Sequence, residues 1–210
     1  EPGKDRGYGE IMPKTFLKFL ESYERELLKK GEGKKDLIIT VSGMSGSGKS
    51  MIVRFILERI KLRHFSGGRV VREFASKKGI SLEEFSKARD KGFDYMLEKR
   101  ILREGLKGNI IIDARLAGWV LGEWAGLRIF VGSSLEKRAE RVAKRDGISR
   151  DEAFKKLQER DMVDKQRYRE LYGIDLSDMS IYHRVIDNSG SLDELRKNAL
   201  DAVRILKNNS

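Results

Sequence analysis

The chain has 210 residues, 44 of them Lys or Arg and 33 Asp or Glu, for a formal charge of +11. That length suffices for one well-cored α/β domain with a small appendage. Cysteine is absent and histidine occurs only as His64 and His183, which argues against a disulfide framework or a Cys- or His-rich metal site; no apolar run approaches the ~18 residues of a membrane span, and the expected compartment is cytoplasmic.

Residues 1–12 mix charges with three Gly and a Pro and are expected to be disordered. Pro13 suits the first turn of a helix running to about Lys30. Phe16, Leu20, Tyr23, Leu27 and Leu28 share one face of it at helical spacing. Residues 1–35 thus form an N-terminal helical extension, expected to pack on the domain surface, with a dimer or partner contact as the alternative. Leu37–Val41 is an apolar, β-branched run and predicts a buried strand.

Gly43-Met44-Ser45-Gly46-Ser47-Gly48-Lys49-Ser50 follows, matching G-x-x-x-x-G-K-[ST]. Met51–Ile60 then reads as a helix. Strand, glycine-rich loop and helix are the setting this phosphate-binding motif needs. Its glycines let successive N–H groups turn inward on an anion, and the helix N-terminus adds partial positive charge. Lys49 is expected to reach the β- and γ-phosphates of ATP, and Ser50 to ligate Mg²⁺.

Arg63–Gly68 predicts a short strand and turn, and Arg69–Lys78 a helix stopped by Gly79. Ser81 with Glu84 three residues on makes a capping box. It opens a helix to about Arg103, broken near Gly92. Asn109–Asp113 and Leu127–Val131 predict buried strands. A helix covers 134–146, and Ser149 with Glu152 caps a long charged one to about Leu171. Arg184–Asp187 is a last short strand. Ser191 with Glu194 caps a final helix that fades near Lys207. Strands alternating with helices argue for a parallel sheet with helices on both faces. Ligands of such sheets bind at the strands' carboxyl ends, which here carry the phosphate loop, Asp113 and Asn188.

Residues 49–78 hold nine Lys/Arg and two acids, whereas residues 1–35 hold nine and seven. The positive excess therefore surrounds the phosphate loop, which favours a cleft for phosphorylated small molecules. Trp119 and Trp124 read as packing residues. Neither histidine has a partner motif, and both read as structural.

Four further stretches carry a family resemblance: Gly79-Ile80-Ser81-Leu82-Glu83-Glu84-Phe85, Arg115-Leu116-Ala117-Gly118-Trp119, Arg138 to Arg145, and Tyr172-Gly173-Ile174-Asp175-Leu176. With them, residues 36 to about 205 resemble the archaeal cytidylate kinases among the nucleoside monophosphate kinases. The resemblance implies a P-loop kinase fold with five parallel strands. It also implies a segment at about 64–105 closing over the monophosphate and a lid at about 144–166 closing over the triphosphate. Ser66-x-Gly68-x-x-x-Arg72 resembles the stretch whose Arg grips the monophosphate, although Arg69 stands where Asp is usual. Arg115 resembles the Arg facing the acceptor, and Asp113 keeps a carboxylate that could hold Mg²⁺ through water. Arg141 and Arg145, spaced i, i+4, resemble the arginines that straddle the transferred phosphoryl group. Arg160, Asp164 and Arg167 resemble an Arg-x-x-x-Asp-x-x-Arg element at the acceptor site. Met44-Ser45 departs from the family's frequent Pro-Pro.

These residues suit phosphoryl transfer on general grounds. Two nucleotides bring many negative charges together, and catalysis is then positioning plus charge neutralisation. Arg offers a planar fork for two phosphate oxygens. The expected reaction is ATP plus CMP or dCMP giving ADP plus CDP or dCDP, by a monomer with no membrane contact. Adenylate or uridylate kinase activity is the alternative within the class. A basic RNA- or ribosome-associated nucleotide switch is the alternative outside it, and a degenerate scaffold the third.

Overall fold

A computed structural model describes residues 14–29 and 36–208. The expected disorder at 1–12 lies outside the described residues, as do Pro13, Lys30 and the backbone of 31–35. Five strands form one parallel sheet: β1 (Ile38–Ser42), β2 (Arg63–Ser66), β3 (Ile110–Asp113), β4 (Leu127–Gly132) and β5 (Arg184–Asp187), in the order β2-β3-β1-β4-β5. β1 is buried along its whole length. That is why it reads as a continuous apolar run rather than an alternating one. Its Ile39 sits between Ile111 of β3 and Leu127 of β4. The outer strands tolerate charge and carry exposed Arg63, His64, Arg184 and Asp187.

Alternate residues of β1 serve two cores. Ile39 and Val41 join Ile111, Ile129 and Val131 against helices α2 (Lys49–Leu57) and α9 (Leu192–Asn208). Ile38 joins Ile110 and Ile112 against α3 (Gly67–Lys77), α5 (Lys91–Leu106) and α6 (Ala117–Leu121). Each such buried side chain is worth roughly 1.5–3 kcal/mol. α1 (Lys14–Lys29) adds Leu20 and Leu27 to the second core, and its Phe19 ring lies 4.8 Å from that of Tyr95 on α5. α7 (Leu135–Asp146) and α8 (Arg150–Tyr172) form a hairpin with a small core of its own, Ala139, Val142, Ala153 and Leu157.

Three local expectations need correction. The helix expected from Arg69 begins at Gly67, directly off β2, because the Ser66 hydroxyl accepts from Arg69 N at 3.3 Å and caps it. Gly67 is therefore no turn residue. A Cβ there would stand 2.8 Å from the Ala114 Cβ, so the glycine permits close packing on the end of β3. The long helix expected after Ser81 is two helices, α4 (Leu82–Ala88) and α5, and the break expected near Gly92 falls at Arg89-Asp90. Asp90 Oδ1 accepts from Phe93 N at 2.8 Å and starts α5. Finally, α6 and a 3₁₀ turn at Gly122–Trp124 were not expected, since five residues are too few to display a helical period.

Candidate active site

The phosphate loop leaves β1 at Ser42 and enters α2 at Lys49. Gly48 has φ +96°, a conformation that L side chains rarely adopt, and a Cβ there would stand 2.1 Å from the Asn188 amide nitrogen. That amide, just beyond β5, donates to Ser47 O at 2.8 Å and braces the loop. Lys49 Nζ folds over the loop, donating to Gly43 O at 2.7 Å and Met44 O at 2.8 Å. Burial, and then the Arg115 charge, push the Lys49 ammonium down to about 7, with Asp113 opposing them. An anion arriving here favours the charged form again.

Opposite the loop, Asp113 ends β3. Its Oδ1 accepts from the Ser66 hydroxyl at 3.1 Å, and its Oδ2 lies 2.6 Å from His64 Nε2. His64 thus joins β2 to the end of β3 through Asp113. His183 does serve structure, its Nδ1 accepting from Arg128 N at 3.1 Å.

A chain of ion pairs runs across the site. Arg167 Nη1 donates to Asp94 Oδ2 at 3.0 Å, and Asp94 Oδ1 lies 3.0 Å from Arg89 Nε. Arg89 Nη2 donates to Asp164 Oδ1 and to the Tyr168 hydroxyl, both at 3.2 Å. Asp164 Oδ2 lies 2.7 Å from Arg115 Nη2, and Arg115 Nη1 stands 3.8 Å from Asp161. Asp161 accepts from Arg138 Nη2 at 2.6 Å, and Arg138 Nη1 donates to the loop at Ser45 O, 3.2 Å away. The arginines are thus held by neighbouring acids, as buried charges must be. Arg115 also donates to Ser45 Oγ at 3.1 Å and approaches Met44 Sδ at 3.4 Å. Met44-Ser45 is accordingly the part of the loop that docks on Arg115.

A cavity of about 300 Å³ opens between these groups. Ser45, Gly46, Gly48, Lys49 and Ser50 line one side; Ser66, Arg72, Asp113 and Arg115 line the other. Arg141, Arg145 and Arg160 also line it. Arg160 is half-buried to buried, its Nε 3.9 Å from Asp164; burial and then Arg115 push its guanidinium down to about 10. Arg141 donates to Ser133 Oγ at 3.0 Å and to Asn188 O. Arg145 is half-exposed and forks onto Asp146 at 2.6 and 2.8 Å.

Not every candidate faces the cavity. Gly43, Met44 and Ser47 shape the loop from behind. Asp164 is fully buried beneath Arg115 and Arg89, outside the lining. Arg167 spends its guanidinium on Ser86 O at 3.2 Å, Arg89 O at 2.9 Å and Asp94, so it ties the α4–α5 junction instead of facing the cavity. Both were expected at the acceptor site, and here both hold residues that line the cavity, Asp164 through Arg115 and Arg89 and Arg167 through the Arg89 carbonyl. Sequence reasoning missed Arg89, Glu98 and Tyr168 in the lining, and Arg138 behind the loop. Arg138 was findable, because it precedes Arg141 by one helical turn. The others announce themselves only once α4, α5 and α8 are folded together.

The arrangement can bind a polyphosphate at the loop and a second anion at Arg72 and Arg115. Among the described residues no cluster of three or more His, Cys, Asp or Glu could hold a metal, and no helix is long and apolar enough to cross a membrane.

A model of the cytidylate kinase-like family matches residues 38–190. A cytidylate kinase of Pyrococcus horikoshii is 44% identical over 158 residues, covering 74% of this chain and 82% of that protein. One of Methanocaldococcus jannaschii is 42% identical over 158 residues, covering 73% and 89%. Among solved structures, a gluconokinase of Sinorhizobium meliloti superposes with TM-score 0.57 at 19% identity, over 84% of this chain and 96% of its own. A shikimate kinase of Acinetobacter baumannii does so with TM-score 0.54 at 14% identity, over 87% and 98%. These two speak for the fold alone.

Proposed function

The chain belongs to the cytidylate kinase-like family, and on that premise we propose that it transfers the γ-phosphoryl group of ATP to CMP or dCMP, giving ADP and CDP or dCDP. The observation that carries this reading is one cavity lined both by the phosphate loop and by a separate pair of arginines. The loop and Lys49 form the donor wall, and Arg72 and Arg115 the acceptor wall. A nucleotide switch needs only the first.

In this reading the loop N–H groups and Lys49 hold the β- and γ-phosphates of ATP. Arg72 and Arg115 hold the acceptor phosphate. Arg141, Arg145 and Arg160 neutralise the charge that spreads over the phosphoryl group in flight, and Arg fits this task because it stays cationic. Arg145 reaches it by exchanging Asp146 for phosphate. Ser50 at the start of α2 and Asp113 at the end of β3 are hard oxygen donors on the same cavity, which suits Mg²⁺. Ser50 would hold the ion directly and Asp113 through water, and the bound ion supplies charge neutralisation at the ATP phosphates. The segment at about 64–105 and the α7–α8 hairpin, including the lid at about 144–166, close on the two nucleotides and exclude water, which would otherwise accept the phosphoryl group.

A coupled ADP-release assay with CMP, dCMP, UMP, AMP and GMP tests the proposal. CMP or dCMP should give the highest kcat/KM. Faster turnover of AMP, or salt-sensitive RNA binding with no monophosphate turnover, would contradict it.

A further inference from the structure

Glu98 on α5 is an acid without an evident reason to be where it is. It is 2% exposed, yet it lines the cavity. Its Oε2 has no hydrogen-bond partner among the described residues. A buried carboxyl left unpaired costs stability unless something else meets it. It shares the cavity lining with the apolar Val71 of α3, Leu82 of α4, and Leu97 and Ile101 of α5, and with the polar Arg89 and Tyr168. An acid repels phosphate, so it does not belong to the phosphate end of the nucleotide. Apolar walls with a few polar groups suit a flat, uncharged ring.

Resting on the function proposed above, we propose that Glu98 reads the hydrogen-bonding edge of the acceptor base, as a neutral carboxylic acid. A neutral acid sets one O–H donor beside one acceptor oxygen. Cytosine offers the complement, with N3 accepting and the N4 amino group donating. Uracil offers N3–H beside O4, which the same acid meets by carrying its proton on the other oxygen. Guanine sets two donors side by side and calls for a charged carboxylate instead. Glu98 therefore selects an edge of mixed polarity and does not alone rank CMP above UMP.

The electrostatics agree with a neutral acid. Burial and then the Asp94 charge push the Glu98 carboxyl up to about 8, with Arg89 pulling the other way. From α8, the Tyr168 and Tyr172 hydroxyls face it, and both phenols are themselves pushed upward by burial. Asp164 is already matched by Arg89 and Arg115. α6 carries no ionisable residue. α1 meets α5 through Tyr95 and Lys99.

The test compares wild type with Glu98→Gln and Glu98→Leu in steady-state kinetics from pH 6.5 to 9.5, with CMP and UMP varied and ATP varied separately. Glu98→Leu should raise KM for both pyrimidine monophosphates about 10- to 100-fold and leave KM for ATP within about twofold. Glu98→Gln keeps one donor beside one acceptor and should hold KM for CMP within about threefold. In wild type, KM for CMP should rise above pH 8, and Glu98→Gln should abolish that rise. Unchanged KM for CMP in Glu98→Leu would overturn the inference. So would an alkaline rise that persists in Glu98→Gln, a result that stands even if the Leu variant does not fold. Failure of wild type to phosphorylate CMP is a different outcome and counts against the proposed function itself.

Discussion

Glu98 and Lys49 show the same physics with opposite signs. Burial disfavours the charged form of each, raising the acid and lowering the base. For Glu98 this has a stability consequence. Burial pushes its carboxyl up to about 8 in the folded protein, from the 4.5 of an ordinary glutamate. Below pH 4.5 both states hold the proton. Between about 4.5 and 8 the folded state keeps a proton that the unfolded state releases, so stability falls as pH rises, by up to about 1.4 kcal/mol per unit. Glutamine has no such proton. Urea unfolding at pH 5 and pH 8 should therefore show Glu98→Gln gaining on wild type as pH increases. A gap of equal size at both values would contradict the assignment. Lys49 was legible from its motif, because the chemistry of the loop is written in consecutive residues. Glu98 was not. Its sequence neighbours, Leu97 and Lys99, say nothing of the cavity, which forms only once α5 is folded beside the other elements that line it.

At the scale of elements, capping chemistry was the most readable signal. Ser81-Glu84 and Ser149-Glu152 start α4 and α8 as expected, with the hydroxyls accepting at 3.1 Å in both cases. What escaped was chemistry shared between elements. Arg138 of α7 joins Asp161 of α8 to the carbonyl of Ser45, so one guanidinium fixes the hairpin to the phosphate loop. Its side chain is 8% exposed, so removing it leaves Asp161 poorly compensated. Arg138→Ala should cost about 3 kcal/mol of stability. Asp161→Ala should cost a comparable amount, because it leaves the buried Arg138 without its acid. The double variant should fall short of the sum by about 1 kcal/mol or more, as measured by denaturant unfolding. Additive losses would mean that the pair does not couple the two helices. Arg167 teaches the related lesson. Its spacing from Arg160 and Asp164 put it on the right face of α8, but only the fold reveals that the α4–α5 carbonyls claim it first.

For the whole molecule, alternating strands and helices were enough to anticipate a parallel sheet with the loop at its carboxyl edge, and the family resemblance implied its five strands. β1, β3 and β4 are fully or largely buried, and buried strands declare themselves as apolar runs. The strand order β2-β3-β1-β4-β5 places β1 centrally and brings the ends of β1 and β3 side by side. That neighbourhood sets the loop against Asp113, Arg115 and the start of α3, and it gives a single cavity lined by the loop and by Arg72 and Arg115. The cavity lining is itself basic, with Lys49, Arg72, Arg89, Arg115, Arg141, Arg145 and Arg160 against Glu98 and Asp113.

The central claim is direct transfer between two nucleotides held in that cavity. It is tested most directly by incubating the full chain with γ-phosphate-labelled ATP, Mg²⁺ and CMP, and following the label. The account predicts label in the β-position of CDP in step with ADP formation, with Lys49→Ala slowing the transfer about 10²–10³-fold while its thermal unfolding stays cooperative. Label appearing only as inorganic phosphate, or Lys49→Ala transferring at the wild-type rate, would contradict it.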